Sequence, residues 1–169
     1  MRRRLVALGA LTARLAKEGI EPILVGDCAL EVYTDGGCTS GVVGLAPEAT
    51  SEVNAAFADL GFEKSGRFWL REELDLIFDA SAPAGLPGET APRTVLDVDG
   101  FRVVLLGVED LLIDRLRAWV HWKSDEDGRW AARLVALYAN ELDWPYLRGK
   151  VAAERSEAAA LARLEEERG

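Results

Sequence analysis

The chain has 169 residues, of which 49% are hydrophobic, and it carries 20 Lys and Arg against 29 Asp and Glu, a formal net charge of −9. This length fits one domain, or one domain with a small helical appendage. The acidic excess argues against a nucleic-acid-binding surface, which needs a surplus of Lys and Arg, and no apolar run approaches the roughly 18 residues of a membrane span.

The N-terminal segment combines a basic head with an apolar stretch, as secretory signals do. Arg14 and Lys17 interrupt that stretch, and the leucines within it recur at helical spacing. We therefore expect an amphipathic first helix that ends at Gly19. The two cysteines, Cys28 and Cys38, match no zinc or redox spacing, which favours free thiols in a reducing cytoplasm.

The next part of the chain alternates between strand and helix signals. Short apolar runs indicate strands, and a period of 3.6 residues indicates helices. The pair Asp99-Gly100 between two strand-like segments predicts a tight hairpin. In chain order we expect a strand at 22–26, a short helix at 29–33, a strand within 39–46, a helix at 47–60, paired strands at 67–70 and 74–79, a loop at 81–92, and hairpin strands at 94–98 and 101–106.

From Val108 onward the pattern is helical, with predicted helices at 108–122, 126–140 and 144–167. We therefore expect an α/β (α+β) protein, in which residues 1–107 form a mixed sheet with flanking helices. Residues 108–169 form a C-terminal helical region packed on that core. The amphipathic stretch at 150–169 docks on the body or mediates a homodimer.

A set of short motifs occurs in a fixed order along the chain. The motifs are Ile23-Leu-Val-Gly26, Ala29-Leu-Glu-Val-Tyr33, Thr39-Ser40, Val42-Val43-Gly44, Gly107-Val-Glu-Asp110, Asp114-Arg115, His121-Trp-Lys123 and Asp127. This ordered set resembles the nucleotidyltransferase superfamily. The resemblance covers roughly residues 15 to 148, and within the superfamily it indicates the small bacterial branch of abortive-infection and toxin–antitoxin proteins.

The resemblance implies a metal site, which this sequence lacks at the expected positions. In the family, two carboxylates at positions i and i+2 of a strand and a third on a neighbouring strand hold Mg²⁺ against the triphosphate. These positions fall on Val42, Gly44 and Ile77, none of which is an acid. Asp75 and Asp79 share the predicted strand face with Ile77, so a register shift of two residues would place an acid there.

The missing acids predict a pseudo-nucleotidyltransferase that acts by binding a partner or a nucleotide-like ligand and needs no metal or cofactor. The alternative is an active, metal-dependent enzyme of the toxin–antitoxin type, with displaced carboxylates, that uses Mg²⁺ and a nucleoside triphosphate. A third reading is an interaction module with no ligand. The resemblance assigns ligand-binding positions to Gly26, Asp27, Thr39, Ser40, Lys123 and Asp127.

Asp27 replaces the second glycine of the family's glycine pair, so it puts a negative charge where a phosphate would lie. It is also a candidate N-cap for the helix near Ala29, where its carboxylate would take the backbone N–H groups that bind phosphate in the family. The sequence therefore predicts that the protein's own anion fills the phosphate position.

The helical region has three further candidate features. His121, the only histidine, is more typical of a helix-end residue than of a general base, since no second histidine or nucleophile motif accompanies it. Arg115, Lys123 and Asp127 favour a helix-to-helix salt bridge. Trp119, Trp122 and Trp130 are spaced to line one seam between two helices, or alternatively to form an exposed partner-binding patch.

Overall fold

The computed structural model describes residues 2–37, 41–46, 49–81 and 92–167. Thr39 and Ser40, the expected helix start at Pro47 and most of the loop expected at 81–92 lie outside these residues. The chain divides into two compact units, Met1–Leu106 and Gly107–Gly169. The first unit holds the sheet, and the second is helical.

A seven-stranded mixed sheet organises the first unit, in the order β3-β4-β5-β2-β1-β7-β6. The pairs β1–β7 and β2–β5 are parallel, and the other neighbouring pairs are antiparallel. The elements are α1 (Arg2–Leu15), β1 (Ile23–Val25), α2 (Gly26–Tyr33), β2 (Val43–Ala46), α3 (Ser51–Asp59), β3 (Glu63–Ser65), β4 (Phe68–Arg71), β5 (Leu76–Asp79), β6 (Thr94–Val98) and β7 (Phe101–Leu105). The expected mixed α/β fold is confirmed.

The first helix follows its sequence pattern. Its four periodic leucines are buried, and a short 3₁₀ turn leads to Gly19, whose φ of 71° ends the segment. The hairpin also forms as expected, since Asp99 and Gly100 have φ values of 55° and 81°. Two positive φ angles in a two-residue turn match the twist of the flanking strands β6 and β7. The end of the first helix and the hairpin turn are therefore both set by local residues that adopt positive φ angles.

Four expectations about the first unit need correction. The helix expected at 29–33 begins at Gly26, three residues earlier. The helix expected at 47–60 begins only at Ser51, because Thr50 is its N-cap. Strand β3, whose residues are all exposed, was missed because an exposed edge strand has no apolar alternation. Asp75 is not part of β5: it follows a 3₁₀ turn with φ 51°, so strand alternation does not apply to it.

Four helices form the second unit: α4 (Val108–Trp122), α5 (Asp125–Tyr138), α6 (Trp144–Val151) and α7 (Arg155–Glu167). The single helix expected at 144–167 is wrong, because the chain breaks between α6 and α7. At the break the Glu154 carboxylate accepts hydrogen bonds from the Glu157 backbone N–H, at 2.8 Å, and from the Ser156 hydroxyl. Glu154 thus caps α7, and α7 buries Leu161 and Leu164 within the unit, where it contacts α4, α5 and α6.

The expected tryptophan seam is only partly formed. Trp119 lies against Gly128, so it packs between α4 and α5. Trp122, in contrast, is 81% exposed and lines no seam, because it lies at the C-terminal end of α4. None of the described helices combines the length and the apolarity that crossing a membrane requires.

Candidate functional site

The candidate site lies on the sheet of the first unit, where β2 runs between β1 and β5. Gly44 of β2 pairs with Val25 of β1 and with Asp79 of β5. The preceding pair, Val43 and Phe78, is buried in the core, whereas Gly44 and Asp79 are half-buried. Because side chains alternate along a strand, Gly44 and Asp79 share the face opposite to that core.

Gly44 is a point of close backbone approach. A Cβ atom at this position would lie 3.2 Å from the Val25 carbonyl oxygen and 3.4 Å from Val25 Cγ2. Contacts this short require the neighbouring strand to move by a few tenths of an ångström. The second position that the family resemblance assigns to an acid is therefore a glycine, and β1 leaves little room for any side chain there.

Asp79 is the acid that lies beside Gly44. Its Oδ2 is 3.2 Å from Arg67 Nε, and its side chain is 14% exposed. Its other oxygen, Oδ1, is buried and has no hydrogen-bond partner among the described residues. Ile77 lies two residues earlier on the same face of β5. Of the two acids that a register shift could have placed at the position of Ile77, Asp79 is therefore in the strand, and Asp75 lies before it.

Gly26 and Asp27 form the turn from β1 into α2. Gly26 has φ 63°, a left-handed conformation that glycine adopts without steric cost. The N-cap position belongs to Val25, which makes no side-chain cap, so the expectation that Asp27 is the N-cap is wrong. Asp27 is instead in the first turn, where the helix dipole stabilises an anion. Its carboxylate still adds negative charge at the end of β1.

Lys123 and Asp127, the other expected ligand-binding residues, belong to the second unit. Lys123 ends α4 in a left-handed conformation with φ 58°, and Asp127 is in the first turn of α5. Asp127 Oδ1 is 2.8 Å from Arg115 Nη1, so the expected salt bridge between the two helices is present. Ser124 caps α5 by accepting a hydrogen bond from the Asp127 backbone N–H.

His121 ends α4 as expected, but sequence reasoning missed the group that it contacts. Its Nε2 lies 2.8 Å from Oε1 of Glu157, a buried carboxylate in the first turns of α7. Arg117 Nε lies 3.1 Å and 3.2 Å from the two oxygens of the same carboxylate. No sequence signal separates Glu157 from the other acids of its amphipathic helix.

Two further buried groups are Asp110, whose burial no sequence signal indicated, and Cys28, which is a free thiol as expected. Asp110 is 2% exposed, and the Tyr146 hydroxyl donates to its Oδ1 at 2.7 Å. Its burial raises the pKa of the carboxyl, although the Tyr146 hydrogen bond opposes that shift. In the first unit, burial raises the pKa of the Cys28 thiol to about 11, and Glu31 next to it is paired with Arg4 at 2.9 Å. Cys28 is therefore an inert core thiol.

Comparison with known proteins supports the fold. No protein-family model matches the chain, and no curated protein matches it in sequence. An antigenic nucleotidyltransferase-like protein from Paracoccidioides brasiliensis is similar in structure, with a TM-score of 0.69 and 16% identity, over 98% of this chain and 88% of that one. The antibiotic-resistance factor ANT(2'')-Ia has a TM-score of 0.57 and 17% identity, over 96% of this chain and 97% of its own. The protein therefore has a nucleotidyltransferase-like fold.

Proposed function

We propose that this protein does not carry out metal-dependent nucleotidyl transfer and instead uses its nucleotidyltransferase-like fold to bind a partner or a nucleotide-like ligand. The observation that carries the proposal is the composition of the half-buried positions of β2 and β5 and of Val42, the residue just before β2. At the positions that the family resemblance assigns to acids, the chain has Val42, Gly44 and Ile77. Asp79 supplies one carboxylate beside them.

The described residues of this face do not fit two Mg²⁺ ions. Such a site needs several hard oxygen ligands, and the one carboxylate described there, that of Asp79, is already paired with the Arg67 guanidinium at 3.2 Å. That positive charge opposes the approach of a divalent cation. If metal ions stabilise the transition state by about 5 kcal/mol, their loss slows transfer by roughly 10³- to 10⁴-fold.

The charge of Asp27 narrows the class of ligand. This carboxylate would repel a triphosphate bound at the start of α2, and it would repel a ligand with fewer negative charges less strongly. The proposal therefore favours a nucleoside-like ligand or a protein surface over a free triphosphate. Gly26, which makes the left-handed turn at the same place, leaves the backbone open to close approach by such a ligand.

Calorimetry with adenosine and with ATP, each in Mg²⁺ and in EDTA, tests this proposal. We expect Mg²⁺ to leave the affinity for ATP unchanged, and we expect Asp27→Asn to strengthen ATP binding several-fold by removing the repulsive charge. Asp35→Asn is the matched control, since Asp35 is an exposed acid just beyond the other end of α2. A tenfold gain in ATP affinity with Mg²⁺ that Asp79→Asn abolishes would contradict the proposal.

The second candidate is active transfer in which displaced acids hold Mg²⁺. One observation favours it: Asp79 Oδ1 is buried without a hydrogen-bond partner among the described residues, and a cation or a ligand donor would satisfy that oxygen. This candidate predicts labelled product from a nucleoside triphosphate, whereas the first predicts none.

A further inference from the structure

A cluster of potential metal ligands lies in the second unit, apart from the β2–β5 face. His121 at the end of α4, Glu154 at the cap of α7 and Glu157 in its first turns each bring one ligand atom to within 4.8 Å of the others. The cluster joins two helices that are separated by more than thirty residues of sequence. We call these three residues the α4–α7 cluster.

The charges of the cluster favour a cation. Glu157 is buried, and its two oxygens contact Arg117 Nε at 3.1 Å and 3.2 Å. The Glu154 carboxylate accepts hydrogen bonds from the Ser156 hydroxyl and from the Glu157 backbone N–H. Two carboxylates therefore share one paired guanidinium, an arrangement that favours an additional cation.

An ion would have to separate two of its ligands, which are in hydrogen-bond contact. His121 Nε2 and Glu157 Oε1 are 2.8 Å apart. Around a tetrahedral ion with bonds of about 2.0–2.2 Å the same two atoms would lie about 3.3–3.6 Å apart, so they must separate by about 0.5–0.8 Å. The Glu154 oxygen, which lies within 4.8 Å of both, must move closer by up to about 1.5 Å. His121 is 46% exposed and Glu154 is half-buried, so both side chains can rotate.

We propose that the α4–α7 cluster binds a divalent transition-metal ion such as Zn²⁺, which ties the end of α4 to the start of α7. Imidazole and carboxylate ligands suit Zn²⁺, Co²⁺ and Ni²⁺, whereas Mg²⁺ prefers oxygen ligands alone. Arg117 then remains a hydrogen-bond donor to the ligating Glu157 carboxylate, as outer residues commonly do in metal sites. Water completes the coordination on the exposed side of His121.

Metal titration of the untagged, metal-stripped protein tests the proposal. Zn²⁺ is followed by calorimetry and Co²⁺ by its visible absorption, in a Cys38→Ser background so that this thiol cannot contribute. We expect one ion per chain, and we expect His121→Ala and Glu154→Gln each to weaken binding at least tenfold. Glutamine at 154 keeps an amide oxygen for the α7 cap, so the variant is expected to fold.

Glu166→Gln is the matched control, because Glu166 is an exposed carboxylate on the same helix and lies outside the cluster. This variant should bind Zn²⁺ as the parent does. Zn²⁺ should also raise the melting temperature of the parent and not that of His121→Ala. The proposal is overturned if the parent binds no Zn²⁺ up to millimolar concentration, or if binding is unchanged in both His121→Ala and Glu154→Gln. Neither readout depends on the function proposed for the sheet.

Discussion

Gly44 limits what the β2–β5 face can do, because the carbonyl of Val25 approaches it too closely for a side chain to fit without movement. The same residue explains why an acid cannot simply be restored there. A carboxylate at position 44 would have to displace β1 as well as reach Asp79. A glycine at position 44 is therefore required by the strand packing, whatever the role of this face.

Gly44→Ala tests this packing directly. We expect it to lower the free energy of unfolding by about 1–3 kcal/mol, the usual cost of forcing extra atoms into a packed site. Gly41→Ala is the control, since no described atom lies within 4 Å of a Cβ at that position, and it should change stability by less than about 0.5 kcal/mol. Urea unfolding measures both, and equal effects at the two positions would show that the close approach is absent.

Asp110 provides a pH-dependent test. Because burial raises its folded-state pKa above the unfolded value, its stabilising contribution is fully present below the unfolded pKa and is lost as the pH rises through the folded one. The side chain of Asp110→Asn cannot ionise. The free energy of unfolding of this variant should therefore rise relative to that of the parent between pH 4 and pH 7, by on the order of 1 kcal/mol. Urea unfolding at both pH values measures the change.

The control for Asp110 is Glu126→Gln, which removes an exposed acid from α5. Its stability relative to the parent should stay nearly constant over the same pH range, because the substitution leaves the buried Asp110 in place. If Asp110→Asn behaves like Glu126→Gln, the buried carboxyl does not govern stability in this range.

Among the elements, local chemistry decides which ones could be predicted. The hairpin of β6 and β7 was predicted because Asp99 and Gly100 both accept the positive φ that a two-residue turn needs. The break between α6 and α7 was not, because Glu154 is not among the usual N-cap residues and its neighbours have good helix propensity. Asp75 was misplaced for a related reason: its left-handed conformation ends a 3₁₀ turn that has no apolar signal.

Two helical glycines offer a matched test of helix packing. A Cβ at Gly128 of α5 would lie 2.9 Å from the ring of Trp119, whereas one at Gly149 of α6 would meet no described atom within 4 Å. Gly149→Ala should therefore stabilise the protein by about 0.5–1 kcal/mol through helix propensity. Gly128→Ala should instead destabilise it by about 1–3 kcal/mol. Thermal unfolding compares them, and stabilisation by both would refute the Trp119 contact.

At the scale of the whole molecule, sequence reasoning identified the fold better than the site. The order of strands and helices carried the resemblance to nucleotidyltransferases, and the structural neighbours support that fold. The pairing of Gly44 with Asp79 could not be predicted from the sequence, because strand register depends on contacts between distant segments. The contact of His121 with Glu157 joins residues 36 positions apart and was invisible for the same reason.

The positions of the carboxylates say more about function than the acidic excess of the chain does. A net charge of −9 excludes little beyond a nucleic-acid-binding surface. What matters for transfer is where the carboxylates lie: Val42 and Gly44 stand where the family resemblance expects acids, and Asp27 stands where it expects none. The charges that bear on transfer are therefore those at a few positions around β2 and α2, whatever the net charge of the chain.

The most direct test of this account is a transfer assay with α-labelled nucleoside triphosphates, Mg²⁺ or Mn²⁺, and a cell lysate as the source of acceptors. We expect no labelled product above that of a heat-denatured sample, and the same result for Asp79→Asn. Labelling that requires the metal ion, depends on folded protein and disappears in Asp79→Asn would contradict it.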